Sequence, residues 1–206
     1  MFISFEGLDG CGKTTQINLL AEKLASLAYD VVFIREPGGT AISERIRDIL
    51  LDTKHEGMNQ ITELLLFSAA RAQLVNEVIK PALSGSKVVL SDRYVDSTTA
   101  YQGYGRGLRL GAVKTINTVA TLGVMPHLTF IIDLPLDELA LRKKQTGTEA
   151  DRMERSGRAF YERVRQGYLA MAEAEPGRFT VVDGSQEVET IRRQIWAIVS
   201  DHIPHQ

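Results

Sequence analysis

The sequence has few of the features that stabilise secreted or membrane-embedded proteins. Its 206 residues include one cysteine, Cys11, which excludes an intramolecular disulfide framework and a zinc site built from several cysteines. No apolar run approaches the ~20 residues that a membrane-spanning helix needs. Residues 1–6 lack a basic stretch ahead of an apolar one, so we do not expect a secretory signal. These absences favour a cytoplasmic protein with no membrane partner.

An excess of charge of either sign is also missing. The chain carries 24 lysines and arginines against 26 aspartates and glutamates, a formal net charge of -2. Because proteins that coat nucleic acid are usually strongly basic, this balance argues against a nucleic-acid partner. A hydrophobic content of 44% and a charged content of 24% are typical of an ordinary globular domain rather than of a disordered chain.

Short apolar runs alternate with helical patterns along the whole chain. The runs, which predict strands, lie at 2–5, 31–34, 88–90, 128–132 and 179–182. Apolar residues at helical spacing predict helices from 13 to about 29, at about 41–51 and 60–83, and from about 187 to 200. Because parallel strands need a covering crossover helix, this order predicts an α/β fold of three layers, with a five-stranded parallel sheet flanked by helices. We expect one domain over residues 1–206.

Ligands of such folds bind beyond the carboxyl ends of the strands. The polar segments that follow the predicted strands are therefore the places to search for a site, and they are 7–14, 35–40, 91–106, 133–137 and 183–186. The segment 142–158 differs from these, because it is crowded with arginine and lysine, has little apolar content and contains Gly147 and Gly157. That composition predicts a mobile, charged lid.

The glycine-rich segment after the first predicted strand is the strongest motif in the chain. It reads Gly7-Leu8-Asp9-Gly10-Cys11-Gly12-Lys13-Thr14 and fits G-x-x-x-x-G-K-[ST] between a strand and a helix. We call these residues the phosphate loop. Glycines let backbone N–H groups converge on an anion, and the helix N-terminus adds unpaired donors. The motif predicts that Lys13 reaches the β- and γ-phosphates of a nucleoside triphosphate and that the Thr14 hydroxyl ligates Mg²⁺.

A phosphate loop alone is found in kinases, GTP switches and motor ATPases. The N-K-x-D guanine reader that is usual in GTP switches is absent from the sequence. Beyond the strand ends lie 35–40 and 91–94, and Phe67 and Arg71 share one helical face. An aromatic ring can stack on a base and an arginine can bind a phosphate, so these residues favour a kinase with a second phosphorylated ligand. Each also has a structural interpretation, Phe67 as core and the arginines as partners in ion pairs.

Four motifs in combination resemble those of bacterial thymidylate kinases over essentially the whole chain. They are Phe-Glu-Gly-x-Asp-Gly-x-Gly-Lys-Thr-Thr at 5–15, Arg-Glu-Pro-Gly-Gly-Thr at 35–40, Asp-Arg-Tyr at 92–94 and Ala-Tyr-Gln-Gly-x-x-Arg-Gly at 100–107. The resemblance implies a P-loop NTPase-type kinase fold with a flexible lid, transfer of the γ-phosphoryl group of ATP to dTMP to give dTDP, a requirement for Mg²⁺, and a homodimer.

The resemblance also implies roles for individual residues. ATP would be bound by 7–15, which includes Thr15, and by Arg142. The substrate dTMP would be bound at its base, sugar and phosphate by Phe67, Arg71, Thr98, Gln102, Glu36, Tyr101, Asp9, Arg47 and Arg93. Asp92 would help Thr14 to hold Mg²⁺ through water. The catalytic set implied for phosphoryl transfer is Lys13, Asp9, Arg93 and Arg152.

The lid departs from the family pattern. Families of this kind take a catalytic arginine from the phosphate loop or from the lid, and the loop here has Gly10 and Cys11 in place of arginine. The lid then has to supply the cation. Arg152 in the Asp-Arg element is the predicted source, with Arg142 beside the ATP base or phosphates, and lysine is not equivalent at such a position.

Two other functions stay open at this point. One is a P-loop kinase for a different acceptor, and the other is a nucleotide-binding switch without transfer activity. A panel of acceptors separates the first from a dTMP kinase, and ADP formation that depends on dTMP excludes the second.

Overall fold

Five parallel strands form the central sheet of the protein. In this computed structural model, which describes residues 1–146, 152, 153 and 155–203, all neighbouring strands are parallel in the order β2–β3–β1–β4–β5. The strands are β1 (Phe2–Glu6), β2 (Val31–Arg35), β3 (Val88–Asp92), β4 (Leu128–Asp133) and β5 (Phe179–Asp183). The predicted α/β fold and the five predicted strands are confirmed. β1 is the middle strand, so the phosphate loop follows the centre of the sheet.

Helices connect the strands and cover the sheet. They are α1 (Lys13–Ser26), α2 (Ala41–Leu51), α3 (Gln60–Leu74), α4 (Lys80–Ser84), α5 (Val95–Thr98), α6 (Leu110–Thr121), α7 (Leu136–Thr146), α8 (Arg158–Ala174) and α9 (Val188–Ser200). A π-helical turn at Val75–Ile79 joins α3 to α4, and a second one at Thr99–Gly105 continues α5. A short 3₁₀ turn, Thr53–His55, follows α2.

The two faces of β1 belong to separate apolar cores. Phe2 packs with Val89 and Leu74 on one face, whereas Ile3 and Phe5 pack in a second cluster on the other. Successive side chains of a strand point to opposite faces, so both faces of the sheet are buried under helices. Full burial of a large apolar side chain contributes about 1.5–3 kcal/mol, and β1 buries all three of these completely. The three-layer arrangement follows.

Four helices, α5 to α8, were not predicted from the sequence pattern. The segment 91–106, which the sequence analysis interpreted as a polar segment after a strand, is mostly helical and largely buried. Close approach of α8 explains the burial, since a Cβ at Gly105 would lie 2.6 Å from the Phe160 ring and one at Gly167 would lie 2.6 Å from the Tyr104 ring. Two glycines on facing elements therefore set how α8 packs.

The predicted lid at 142–158 is only partly described. Residues up to 146 extend α7, and α8 begins at Arg158, while 147–151 and 154 lie outside the described residues. The mobility of the lid thus stays a prediction. Of the helices that the structure does describe, none is both long enough and apolar enough to cross a membrane.

Candidate active site

A cavity of about 420 Å³ lies at the carboxyl ends of β1, β2 and β3. Parallel register brings these ends together, because Phe5 of β1 pairs with Asp92 of β3, and Asp92 pairs with Arg35 of β2. Most of the predicted site residues line this cavity: Asp9, Gly10, Gly12, Lys13, Thr14, Thr15, Glu36, Arg47, Phe67, Arg71, Asp92, Arg93, Thr98, Tyr101 and Gln102. The predicted residues outside this lining are Gly7, Leu8, Cys11, Arg142 and Arg152.

The phosphate loop wraps closely around the N-terminus of α1. Gly7 has a φ of 131°, and a Cβ there would lie 2.5 Å from the Ile132 carbonyl oxygen, so only glycine fits. Gly12 precedes the helix with a φ of 103°. The Lys13 ammonium is buried and donates to the carbonyls of Gly7 at 3.2 Å and Leu8 at 2.9 Å. The loop therefore presents helix N–H groups and a cation to one end of the cavity.

Thr14 and Asp92 lie together at the edge of the phosphate loop. The Thr14 hydroxyl donates to Asp92 Oδ2 at 2.9 Å. Hydroxyl and carboxylate oxygens are ligands that Mg²⁺ accepts, and Mg²⁺ usually takes one or two protein ligands with phosphates and water. Among the described residues, no group of three His, Cys, Asp or Glu side chains could hold a metal by itself. The donors present fit a magnesium ion carried by a nucleotide.

Arg93 stands between the phosphate loop and the rest of the cavity. Its backbone has a φ of 71°, and its guanidinium donates to Asp9 Oδ1 at 2.7 Å. Nη1 of the same guanidinium donates to Ser97 Oγ at 3.1 Å and to Tyr168 OH at 3.3 Å. Burial is the largest single influence and would lower the pKa of Arg93, but the charge interactions with Asp9, Tyr101, Tyr168 and Asp92 together outweigh burial and raise the pKa further above its ordinary value. A permanent cation is held at the middle of the site.

Glu6, which the sequence reasoning did not single out, supports Arg93 from below. It is fully buried at the end of β1 and accepts from the Tyr94 backbone N–H at 2.7 Å, Ser97 Oγ at 2.5 Å and Tyr168 OH at 2.9 Å. Burial, and next the charge of Asp96, raises the pKa of Glu6 to about 7. The same Ser97 and Tyr168 oxygens contact Arg93. The sequence signal that could have identified Glu6 is its position within the Phe-Glu-Gly motif at 5–7.

The far end of the cavity contains the predicted aromatic and arginine pair. Phe67 is half-buried on α3 and lines the cavity, and Arg71 lies one turn later, fully buried. Arg71 Nε donates to Glu36 Oε2 at 2.8 Å, and Nη2 lies 2.6 Å from the same oxygen. Arg71 is therefore in an ion pair, but the alternative of a surface ion pair is wrong, because the pair is buried beside the cavity.

Two buried oxygens in this wall have no protein partner among the described residues. They are Glu36 Oε1 and Thr98 Oγ1, both in residues that line the cavity. Burial raises the pKa of Glu36, and the neighbouring charge of Arg71 opposes that rise. Because buried polar groups are nearly always hydrogen-bonded, both atoms need a partner that water or a bound ligand would supply.

Gln102 is tied to a second buried acid, Glu63, that the sequence reasoning also missed. Gln102 Nε2 donates to Glu63 Oε1 at 2.9 Å, and Arg106 donates to both Glu63 oxygens at 3.1 Å. Arg152 Nη1 donates to Glu63 Oε2 at 2.7 Å. No sequence motif that we recognise marks Glu63, which was hidden inside a predicted helix.

The two lid arginines lie in different places. Arg152 is buried, with Nε donating to the Leu50 carbonyl at 2.6 Å and Nη1 to Glu63, so it is not at the phosphate loop. The prediction of Arg152 as the cation beside the phosphates is not met in this arrangement, because the Glu63 carboxylate holds its guanidinium. Arg142 does lie beside the loop, donating to the carbonyls of Cys11 at 3.4 Å and Gly184 at 2.9 Å.

Comparison with known proteins identifies the family. A family model described as thymidylate kinase matches residues 5–195. The chain belongs to the thymidylate kinase family. The resemblance drawn from the four motifs is confirmed, and with it the prediction of an enzyme that phosphorylates dTMP to dTDP in nucleotide biosynthesis, with ATP as the standard donor.

Similar proteins extend over nearly the whole chain. The thymidylate kinase of Kosmotoga olearia is 51% identical over 195 residues, which are 95% of this chain and 93% of the relative. The one from Thermoanaerobacter sp. is 46% identical over 202 residues, 98% of each. The crystal structure of thymidylate kinase from Ehrlichia chaffeensis has a TM-score of 0.79 at 37% identity and covers 97% of this chain and 98% of that one.

Proposed function

We propose that the cavity aligns ATP and dTMP end to end, with the phosphate loop holding the donor and the Phe67 end holding the acceptor. The observation that carries this proposal is the arrangement of the cavity wall. Lys13 and the N-terminus of α1 lie at one end, Arg93 lies in the middle, and the unpartnered oxygens of Glu36 and Thr98 lie at the other. Two anionic nucleotides need that distribution of cations and polar groups.

At the donor end, the loop 7–15 binds the ATP phosphates through backbone N–H groups and Lys13. The Lys13 ammonium already contacts two loop carbonyls, so a small movement of a flexible side chain would bring it to the β- and γ-phosphates. Thr14 and Asp92, the latter through water, would hold Mg²⁺. When bound, that ion would neutralise phosphate charge.

At the acceptor end, Phe67 stacks on the thymine ring. Arg71 spends four of its five N–H groups on Glu36, Tyr94 and Asn117, which leaves one on Nη1 for a base carbonyl. Thr98 Oγ1 completes the base contacts together with Gln102.

Sugar recognition falls to Glu36 and Tyr101 at the same end of the cavity. Glu36 Oε1 accepts from a sugar hydroxyl, and the buried Tyr101 ring, which lines the cavity, excludes a 2′-hydroxyl. A preference for deoxyribose follows from that steric exclusion.

The chemical step needs alignment and charge neutralisation rather than a strong base. An oxygen of the dTMP phosphate attacks the γ-phosphorus of ATP, the bond from that phosphorus to the β-phosphate oxygen breaks, and ADP leaves with the electron pair. Arg93 and Arg47 hold the attacking phosphate, and Asp9 orients Arg93 through the 2.7 Å contact. Bringing the two anions together in near-attack geometry supplies much of the rate enhancement.

We further propose that the charged segment 142–158 closes over the nucleotides as a lid of the single domain 1–206. Arg142 is the better supported source of its catalytic cation, since its guanidinium lies beside Cys11 of the loop. Arg152 could serve only after leaving Glu63. An arginine aimed at the transferring group is worth about 10³–10⁵ in rate in related enzymes.

The proposed assembly is a homodimer through the face made by α2, α3 and α6. These helices pack in sequence against one another. Along them, large apolar side chains are exposed at Ile42, Ile49, Ile61, Leu65, Leu110, Val119 and Leu122. Exposed apolar side chains on neighbouring helices favour pairing with a second copy. The proposed compartment is the cytoplasm, where ATP is available and the single Cys11 stays reduced.

A coupled assay of ADP release tests the function. With ATP and Mg²⁺, dTMP should have the highest kcat/KM in a panel of nucleoside monophosphates, and ADP should form only when an acceptor is present. Arg93→Ala should raise KM for dTMP, because it removes a charge-assisted bond to the acceptor phosphate. Unaltered kinetics in that variant would remove Arg93 from the acceptor site, and a better acceptor than dTMP would overturn the substrate.

A further inference from the structure

Glu63 is a buried acid that the proposed mechanism does not use. It lies in the first turn of α3, and only 1% of its surface is exposed. Burial by itself would raise the pKa of Glu63, but hydrogen bonds from Arg106, Gln102 and Arg152 outweigh burial and place the pKa below its ordinary value. The side chain is therefore a carboxylate under physiological conditions, and a carboxylate can only accept hydrogen bonds.

The position of this carboxylate determines how the Gln102 amide is turned. Gln102 Nε2 lies 2.9 Å from Glu63 Oε1, and only an N–H can face a carboxylate oxygen at that distance. The opposite orientation would set an amide oxygen against the charge. Among the described residues, none donates a hydrogen bond to Gln102 Oε1, although Gln102 is buried and lines the cavity. The amide thus offers an acceptor to whatever lies in the cavity.

Glu63 is itself held rigidly. Arg106 donates to both of its oxygens at 3.1 Å, and Arg152 Nη1 donates to Oε2 at 2.7 Å. The Arg106 guanidinium also stacks on the Phe160 ring at 4.5 Å. Paired arginines on a buried carboxylate leave it little freedom to rotate away from Gln102.

We propose that Glu63 is a positioning residue for base specificity, which holds the Gln102 amide with its oxygen toward the base so that the site accepts only a pyrimidine with an N–H at N3. Thymine and uracil carry that N–H, whereas cytosine presents a lone pair at N3. Two acceptors facing each other in a dry site leave both unpaired, and sites built to bind an N–H reject analogues without it by about 10⁴–10⁵-fold. This inference rests on the proposed placement of the base between Phe67 and Gln102.

The test isolates N3 from the other positions of the base. The probe is 5-fluoro-dUMP, whose fluorine brings the pKa of its N3–H into the weakly alkaline range while both carbonyls are kept. In the wild type, kcat/KM for 5-fluoro-dUMP should fall about tenfold per pH unit above that pKa, because the N–H is lost. Over the same range kcat/KM for dTMP, whose N3 stays protonated, should change little.

Glu63→Gln should flatten that pH profile. A glutamine at 63 can donate as well as accept, so Gln102 can turn over and donate to the deprotonated N3. The matched control is Glu77→Gln, which makes the same change at an exposed acid that contacts Gln73 outside the cavity, and it should keep the wild-type slope. In a Gln102→Leu background, the fall of kcat/KM for 5-fluoro-dUMP with pH, taken relative to dTMP, should be shallow whether residue 63 is Glu or Gln.

An unchanged slope in folded Glu63→Gln would overturn the proposal. The proposal would also fail if Glu63→Gln flattened the slope as much in the Gln102→Leu background as in the wild type, because residue 63 would then not act through Gln102. If Glu63→Gln does not fold, hydrogen exchange in the wild type tests the proposal. The Gln102 side-chain NH₂, assigned by its absence in Gln102→Leu, should stay protected from hydrogen exchange when dTMP binds. Loss of protection would show that the amide turns to the base. If dTMP is not phosphorylated at all, the proposed function fails instead.

Discussion

At the scale of single residues, Lys13 is the cation on which phosphoryl transfer depends most. Lys13→Ala should reduce kcat by at least about 10²-fold, since the developing charge loses its nearest fixed cation. Steady-state kinetics with ATP and dTMP measure this loss. Lys87→Ala is the matched control, because Lys87 pairs with Asp30 at the amino end of β3, away from the cavity. A normal kcat in Lys13→Ala would remove the residue from the reaction.

Phe67 is the residue whose two interpretations can be separated by a single truncation. If its ring stacks on thymine, Phe67→Ala should weaken dTMP binding by about 1–3 kcal/mol. Titration calorimetry measures the affinity directly. Phe33→Ala provides the control, since that ring is 48% exposed on β2 and does not line the cavity. A lower melting temperature with unchanged dTMP affinity would instead support a role for Phe67 in the core.

At the scale of elements, the start of α2 depends on one side chain. Thr40 precedes the helix in extended conformation, and its Oγ1 accepts from the Ser43 backbone N–H at 3.1 Å. Thr40→Ala should lower the free energy of unfolding by about 1 kcal/mol, because a helix N–H loses its partner. Urea denaturation measures the change. Thr40→Ser keeps the hydroxyl and should retain most of the stability, and an equal loss in both variants would contradict the capping role.

At the scale of the whole molecule, Glu6 should make stability depend on pH. Its pKa rises from 4.5 to about 7 on folding, so between these values the folded state holds a proton that the unfolded state has lost. The free energy of unfolding should therefore fall as pH rises from 5 to 7, by up to about 3 kcal/mol from this group. Below pH 4.5 the contribution is complete.

Urea unfolding of the wild type and Glu6→Gln at several pH values measures that contribution. The variant cannot titrate at position 6, so the difference between the two proteins should shrink steadily as pH rises through 7. Comparing the two chains cancels the contributions of other acids, such as Glu36, whose pKa is also raised. A difference that does not vary with pH would show that folding leaves the pKa of Glu6 unchanged.

The sequence by itself determined the phosphate loop, the strands and the family. The loop is encoded locally, because glycine spacing sets a backbone that turns back on itself between β1 and α1. The strands are encoded by continuous apolar runs, since strands covered on both faces need them. Of the four unpredicted helices, α5 has only four residues, too few for a helical period to show. By contrast, α8 buries Phe160, Val164 and Tyr168 at helical spacing, a pattern that the sequence carries and the prediction missed.

Only the tertiary structure decided which charged residues are partners. Glu6 meets Tyr168 across 162 positions of sequence, and Arg152 meets Glu63 across 89. Nothing in the local sequence distinguishes these acids from solvated ones, because burial and partner choice arise when distant elements pack. The same packing turns the Gln102 amide and orients Arg93, so the chemistry of the site depends on contacts that no short motif can encode.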